Sequence, residues 1–209
     1  MQHRAMPRWA VTGLAAAGKS LVCRLLERHG AEVVDADRLG HEVLERPEIQ
    51  AAIAAELGSR YVRGGAIDRP ALGRRVFTDR TALERLNAIT HPSLAAAARR
   101  RLDEVAAAGR ARVAVLEAAV YFLLPSVGRM DLVIAVAAPR ELRRRRLRDA
   151  GLSEIEADSR VVAQEPLERL LHGADVVLHN TGSRADLARA VDELVVARLG
   201  PDPIPEDSP

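Results

Sequence analysis

Lysine is all but missing from this sequence: of 31 lysines and arginines in 209 residues, only Lys19 is a lysine. Asparagine, phenylalanine and tyrosine occur twice each and tryptophan once. Where composition has drifted to arginine wherever either cation serves, a surviving lysine marks a place that wants a compact ammonium rather than a broad planar fork. A narrow phosphate cradle is such a place. Cysteine is equally scarce: Cys23 stands alone, which excludes an internal disulfide, suits a reducing compartment and reads as a small buried helix residue. No apolar run reaches the ~18 residues of a membrane span. Residues 1–8 are too short and polar for a secretory signal, so a cytoplasmic protein is expected. Surplus charge is lacking too, since a net +2 gives no bulk attraction to nucleic acid or to a membrane.

What is present alternates. Apolar runs ending in turn or acidic residues mark candidate strands at residues 9–12, 32–35, 112–117, 132–137 and 176–178, with helix-length segments between them. This alternation predicts a parallel sheet covered on both faces. Residues 40–108 break the rhythm with helical patterns only, punctuated by Pro47, Gly58, Gly64-Gly65, Pro70 and His91-Pro92. A helical insertion between the second and third strands is expected there. Residues 140–171 form a second irregular region, with helix starts at Ser153 and near Pro166. The last ten residues, 200–209, hold four prolines and read as a frayed tail after one domain.

The stretch Gly13-Leu14-Ala15-Ala16-Ala17-Gly18-Lys19-Ser20 fits G-x-x-x-x-G-K-[ST], with an apolar strand before it and a helical pattern from Leu21 after it. In such a loop successive backbone N–H groups, from Gly13 to Leu21, turn toward an anion, and the helix N-terminus adds its dipole. Lys19 then reaches the β- and γ-phosphates of a nucleotide, and the Ser20 hydroxyl ligates Mg²⁺. A plain glycine-bounded helix cap with a solvated lysine accounts neither for the strand-loop-helix context nor for the isolation of Lys19.

Asp35 and Asp37 end the second strand two residues apart, a spacing that in extended chain projects both to one side, at the edge where parallel sheets bind ligands. One carboxylate can hold a metal-bound water and the other can take a proton from an acceptor hydroxyl, while either can cap the next helix. Glu117 ends the third strand, as a water-mediated metal contact or a plain surface acid. Asn180 follows the last strand and either offers its amide to an adenine edge or opens the last helix as a turn residue. The run from Arg143 to Arg146 is a solvated face or, beside a phosphate cradle, a source of clamps on developing charge.

In order along the chain, these pieces resemble the dephospho-coenzyme A kinases, P-loop kinases of the nucleotide-kinase type. The resemblance spans about residues 8–199 and is carried by Thr12-Gly13, Val34-Asp35-Ala36-Asp37, Arg75-Val76-Phe77 with Asp79, and Leu86-Asn87-Ala88-Ile89-Thr90-His91-Pro92. It continues through Arg148-Asp149, Gly151-Leu152-Ser153, Arg160 with Gln164, Ala174-Asp175-Val176 and Asn180-Thr181-Gly182-Ser183. It implies a three-layer α/β/α P-loop kinase fold with a five-stranded parallel sheet. The core would be residues 8–39, 110–139 and 172–199, with a helical acceptor domain at about 40–109 and a mobile lid at about 140–171.

The implied reaction transfers the γ-phosphoryl of ATP to the ribose 3′-hydroxyl of dephospho-CoA, the last step of coenzyme A synthesis. ATP and Mg²⁺ are the implied cofactors, dephospho-CoA the acceptor, and no nucleic acid or membrane partner is expected of this monomer or small homo-oligomer. On this resemblance Asp37 is the base for the 3′-hydroxyl and Asp35 a metal-side or positioning acid. Phe77, His91 and Pro92 belong to the acceptor domain, where His91 touches the acceptor or holds the helix junction before Pro92. Lys19 with the lid arginines Arg144, Arg148 and Arg160 clamps the phosphates, and Arg148 and Asn180 face ATP. The chain departs from the family at Leu14, Ala15, Ala16 and Ala17, where Gly-Ile-Gly-Ser is usual, and after Glu117, where an x-Pro-Leu-Leu pattern is replaced. An alanine at Ala16 predicts strain of about 1 kcal/mol or more if that position needs positive φ. Two further readings stay open: a P-loop kinase for another small molecule or nucleotide, and a non-catalytic ATP-binding protein. A regulatory GTPase is excluded, because its Asn-Lys-x-Asp motif needs a second lysine.

Overall fold

Strand β1 (Arg8–Gly13) is buried along all but its first residue, as a strand flanked on both edges and covered on both faces must be. The structure, a computed structural model, describes residues 5–201; most of the proline-rich tail of residues 200–209 lies outside the described residues. After β1 come α1 (Lys19–Arg28), β2 (Ala31–Asp35), α2 (Ala36–Leu44), α3 (Pro47–Glu56), β3 (Val62–Arg63) and β4 (Ala66–Ile67). They are followed by α4 (Arg69–Thr78), α5 (Arg80–Ala108), β5 (Val113–Glu117), β6 (Leu132–Ala137), α6 (Arg140–Asp149) and α7 (Glu154–Val162). The chain ends with α8 (Glu165–Glu168), β7 (Val176–His179) and α9 (Arg184–Leu199).

Five strands form one parallel sheet in the order β2-β5-β1-β6-β7. These are the five strands expected from the sequence, with ends moved by at most one residue. Side chains alternate across the sheet as the pleat requires. On β5, Val113 and Val115 join Trp9 and Val11 against α1 and α9, while Ala114 and Leu116 join Val34 against α2, α3 and α5. The result is the three-layer α/β/α arrangement. Among the described residues no helix is long and apolar enough to cross a membrane.

Two expectations about the insertion need correction. It is not purely helical: β3 and β4 pair as a short antiparallel hairpin, and Gly64 and Gly65 supply the two positive φ values (57° and 77°) that a tight two-residue turn needs. Nor do His91 and Pro92 mark a helix junction, because α5 runs for 29 residues straight through Pro92. Its ends are fixed instead by Asp79, which accepts from the Ala82 N–H, and by Gly109 in the left-handed conformation. Packing of Leu94, Ala98, Leu102 and Val105 into the core stabilises a helix that a single proline would otherwise break. Helices α6 to α8 stand over the carboxyl end of β6 and β7, with Leu147, Ala157 and Val161 as their own small core.

Candidate active site

The turn from β1 into α1 is built around two obligatory glycines. A Cβ on Gly13 (φ 145°) would lie 2.4 Å from the Val136 carbonyl oxygen, and one on Gly18 (φ 111°) 2.3 Å from Asn180 Nδ2. Between them Ala16 has φ 58°, the only non-glycine with positive φ among the described residues, so the strain expected at this alanine is present. Leu14 and Ala17 turn inward and are buried. No side chain caps the N-terminus of α1, which leaves its first amides and its dipole available to an anion.

Acids gather opposite the loop because parallel register brings the strand ends together. Asp35 stands across from Glu117 in the β2–β5 ladder, and Glu117 across from Val11 in the β5–β1 ladder. Ser20 Oγ donates to Glu117 Oε1 at 2.8 Å. Burial pushes the Lys19 ammonium below its ordinary pKa, while the carboxylates of Glu117, Asp37 and Asp35 push it back up. The lone lysine is thus half-buried among acids. Burial, with the same Glu117 adding to it, pushes the Cys23 thiol far up, so Cys23 is an inert packing residue. Asp35 and Asp37 are not presented by extended-chain alternation, as their spacing had suggested. The chain turns a corner between them: Asp35 caps α2, its Oδ1 accepting from the N–H of Asp37 (2.8 Å) and of Arg38 (3.2 Å). Asp37 stands exposed on the first helical turn.

The arginines expected to clamp the phosphates lie on α6 and α7. Asp158 on α7 accepts from Nε and Nη2 of Arg144, and Glu141 adds a contact at 3.1 Å, which ties Arg144 to α7 and to its own helix. Arg148 is exposed, 3.7 Å from Glu154, and Arg160 is exposed as well. The arginine that touches the loop is Arg146, with Nη1 donating to the carbonyls of Ala16 (3.1 Å) and Ala17 (3.3 Å). Its Nη2 donates to both the backbone oxygen and Oδ1 of Asn180, each at 3.2 Å. Asn180 is correspondingly turned inward: only 5% exposed, it donates from Nδ2 to the Ala17 carbonyl at 2.8 Å. Its amide braces the loop.

Sequence reasoning missed Arg146 as an individual residue and missed the role of Gln164, whose Oε1 accepts from the Ala15 N–H at 2.7 Å. The signal for Arg146 was the buried Leu147 beside it, which tells which side of α6 faces the molecule. Arg143, also on that side, is buried and paired to Glu168, with Nε and Nη1 lacking a partner. A cleft of about 470 Å³ beside the loop is walled by Leu14, Ala17, Arg143, Leu171 and His179. Of the residues assigned to the acceptor domain, Phe77 is 64% exposed on α4. His91, next to Pro92 on α5, donates from Nδ1–H to the Leu123 carbonyl at 3.1 Å.

Comparison with known proteins agrees with this geometry. The dephospho-CoA kinase family model matches residues 9–186. The dephospho-CoA kinase of Geobacter sulfurreducens is 41% identical over 193 residues, covering 90% of this chain and 97% of its own. That of Moorella thermoacetica is 39% identical over 208 residues, covering 95% and 97%. A Thermus thermophilus crystal structure superposes with a TM-score of 0.72 at 36% identity, over 93% of this chain and 99% of that one. The shikimate kinase of Bacteroides thetaiotaomicron, with a TM-score of 0.51, 17% identity and coverage of 92% and 98%, shares the fold alone. A family match over most of the chain, on a fold that places the family's loop and acids together, has one meaning: the chain belongs to the dephospho-CoA kinase family.

Proposed function

We infer that the protein transfers the γ-phosphoryl group of ATP to the ribose 3′-hydroxyl of dephospho-CoA, giving coenzyme A and ADP in a cytoplasmic setting. The observation that carries this reading is the meeting of Lys19, Ser20, Glu117 and the Asp35–Asp37 corner at one edge of the sheet, in a chain of this family. The loop amides and the α1 N-terminus hold the nucleotide's phosphates, and Lys19 neutralises charge on the β- and γ-oxygens. Asp37 receives the proton of the 3′-hydroxyl as that oxygen bonds to phosphorus and the bond to the ADP oxygen breaks. Asp35, whose carboxylate fixes the Asp37 and Arg38 amides in the first turn of α2, is a positioning residue for Asp37.

The donor set also fits Mg²⁺. Among the described residues no three His, Cys, Asp or Glu converge on a metal cage. A hydroxyl and a carboxylate in contact, as Ser20 and Glu117 are, suit a hard cation that keeps several waters and takes its other ligands from phosphates. Bound there, Mg²⁺ would supply charge neutralisation at the transferring phosphate. The arginine-rich lid over β6 and β7 shields the site from water, which competes with the ribose hydroxyl as acceptor.

The test is ADP release from ATP and Mg²⁺ with dephospho-CoA, nucleoside monophosphates or shikimate as acceptor, and mass analysis of the product. Dephospho-CoA is expected to be the fastest acceptor. Faster turnover of a nucleoside monophosphate would reassign the acceptor, and ATP binding with no turnover of any acceptor would make the protein a nucleotide sensor.

A further inference from the structure

Three consecutive loop residues are each held by the lid. The Ala15 N–H donates to Gln164 Oε1 at 2.7 Å. The Ala16 and Ala17 carbonyls accept from Arg146. The Ala16 methyl packs against the lid's apolar cluster of Leu147, Ala157 and Val161. The carbonyl contacts leave the inward-facing donors of a cradle untouched. The Gln164 contact is of another kind, because it uses a backbone N–H, the group by which such a loop binds phosphate oxygens. The carboxamide oxygen is a neutral acceptor on a donor that an anionic oxygen would also use.

We propose that Gln164 is a latch that competes with the nucleotide's phosphates for the Ala15 N–H, tying lid docking to the loading of the cradle. The proposal rests on reading residues 13–20 as a phosphate cradle. Gln164 sits between α7 and α8, so release of its side chain frees the hinge of the lid's second half, while Arg146 keeps α6 on the loop. Glutamine suits such a role where glutamate does not. It accepts from the amide without placing a negative charge against incoming phosphate, and its NH₂ can donate to the oxygen that displaces it.

The experiment uses the full chain and inorganic tripolyphosphate as probe, with binding measured by calorimetry for the parent protein, Gln164→Ala and Gln164→Glu. The alanine variant removes the competitor, so it binds tripolyphosphate about fivefold tighter, the effect of one net hydrogen bond. The near-isosteric glutamate variant binds more weakly than the parent, since a carboxylate both accepts more strongly and repels the anion. Opposite signs from two substitutions at one site cannot come from misfolding. Trypsin, added without nucleotide, cuts after the exposed lid arginines Arg148 and Arg160 several times faster in Gln164→Ala. Unchanged or weaker tripolyphosphate binding by the alanine variant overturns the latch, weaker binding meaning that Gln164 holds phosphate rather than competes with it. If none of the three proteins binds tripolyphosphate, the cradle reading fails, and lid cutting then decides whether Gln164 holds the lid at all.

Discussion

Replacing Asn180 by alanine separates two roles for this residue. Its Nδ2 donates to the Ala17 carbonyl at 2.8 Å and its Oδ1 accepts from Arg146 at 3.2 Å, in a site only 5% exposed. Truncation deletes a neutral hydrogen bond, about 1 kcal/mol, and one to a charged donor, about 1.5 kcal/mol or more. Arg146 keeps the Asn180 backbone oxygen and the two loop carbonyls, so no charge is left bare and the total stays near 2–3 kcal/mol. For a chain of this size that lowers Tm by about 5–10 °C, read by scanning calorimetry without nucleotide. Asn180→Asp keeps the shape and the Arg146 partner but sets a carboxylate oxygen against the Ala17 carbonyl, so it too loses stability. If Asn180 instead served an adenine edge, the alanine variant would melt within about 1 °C of the parent and lose only ATP affinity. That result would refute the bracing role.

Lys19→Arg is expected to lower kcat/KM at least a hundredfold, since the planar fork does not fit a half-buried site among Glu117, Asp37 and Asp35; full activity in the kinase assay would make the solitude of this lysine an accident. Asp37→Asn should lower kcat by a factor on the order of 10²–10⁴ with little change in KM for ATP, and a near-normal kcat would remove Asp37 as the base. His91 is held below its ordinary pKa by burial, against the opposing pull of the Leu123 carbonyl. The folded state therefore holds His91 neutral. Its stabilisation is complete above the unfolded value of about 6.5 and is lost as pH falls below it. Urea midpoints between pH 7.5 and 5 should fall more steeply for the parent than for His91→Gln, and parallel slopes would assign the pH dependence to other groups.

The fold was legible because β1, β5 and β6 are apolar runs too long for loops and too short for helices, each closed by a glycine, an acid or a proline. The loop was legible because its glycines and lysine are fixed by chemistry at fixed spacing. The corner at Asp35–Asp37 was half legible. Carboxylates at a strand tip are readable, but whether the next residue continues the strand or begins a helix depends on Ala36 and Leu39 finding the core, which is a tertiary fact. Pro92 misled for the same reason, since core packing along α5 outweighs a local helix breaker. The lid contacts were the least legible. In a run of four arginines each looks solvated, and only the three-dimensional position of α6 over the loop separates Arg146 from Arg144.

The alanines of the loop show the same competition between local and tertiary terms with the opposite sign. Judged locally, Ala16 where the family has glycine costs about 1–2 kcal/mol of left-handed strain, and that cost alone suggested a loop decayed from catalysis to mere binding. The methyl, however, is seated against Leu147, Ala157 and Val161, and burying one such group returns about 0.8 kcal/mol. That packing offsets part of the strain, so Ala16 holds the glycine-like conformation at a reduced net cost and packs the loop against α6 and α7. The motive for a degenerate loop thereby disappears, because Gly13 and Gly18, the two positions where a side chain would strike backbone or the Asn180 amide, are the two where glycine is retained.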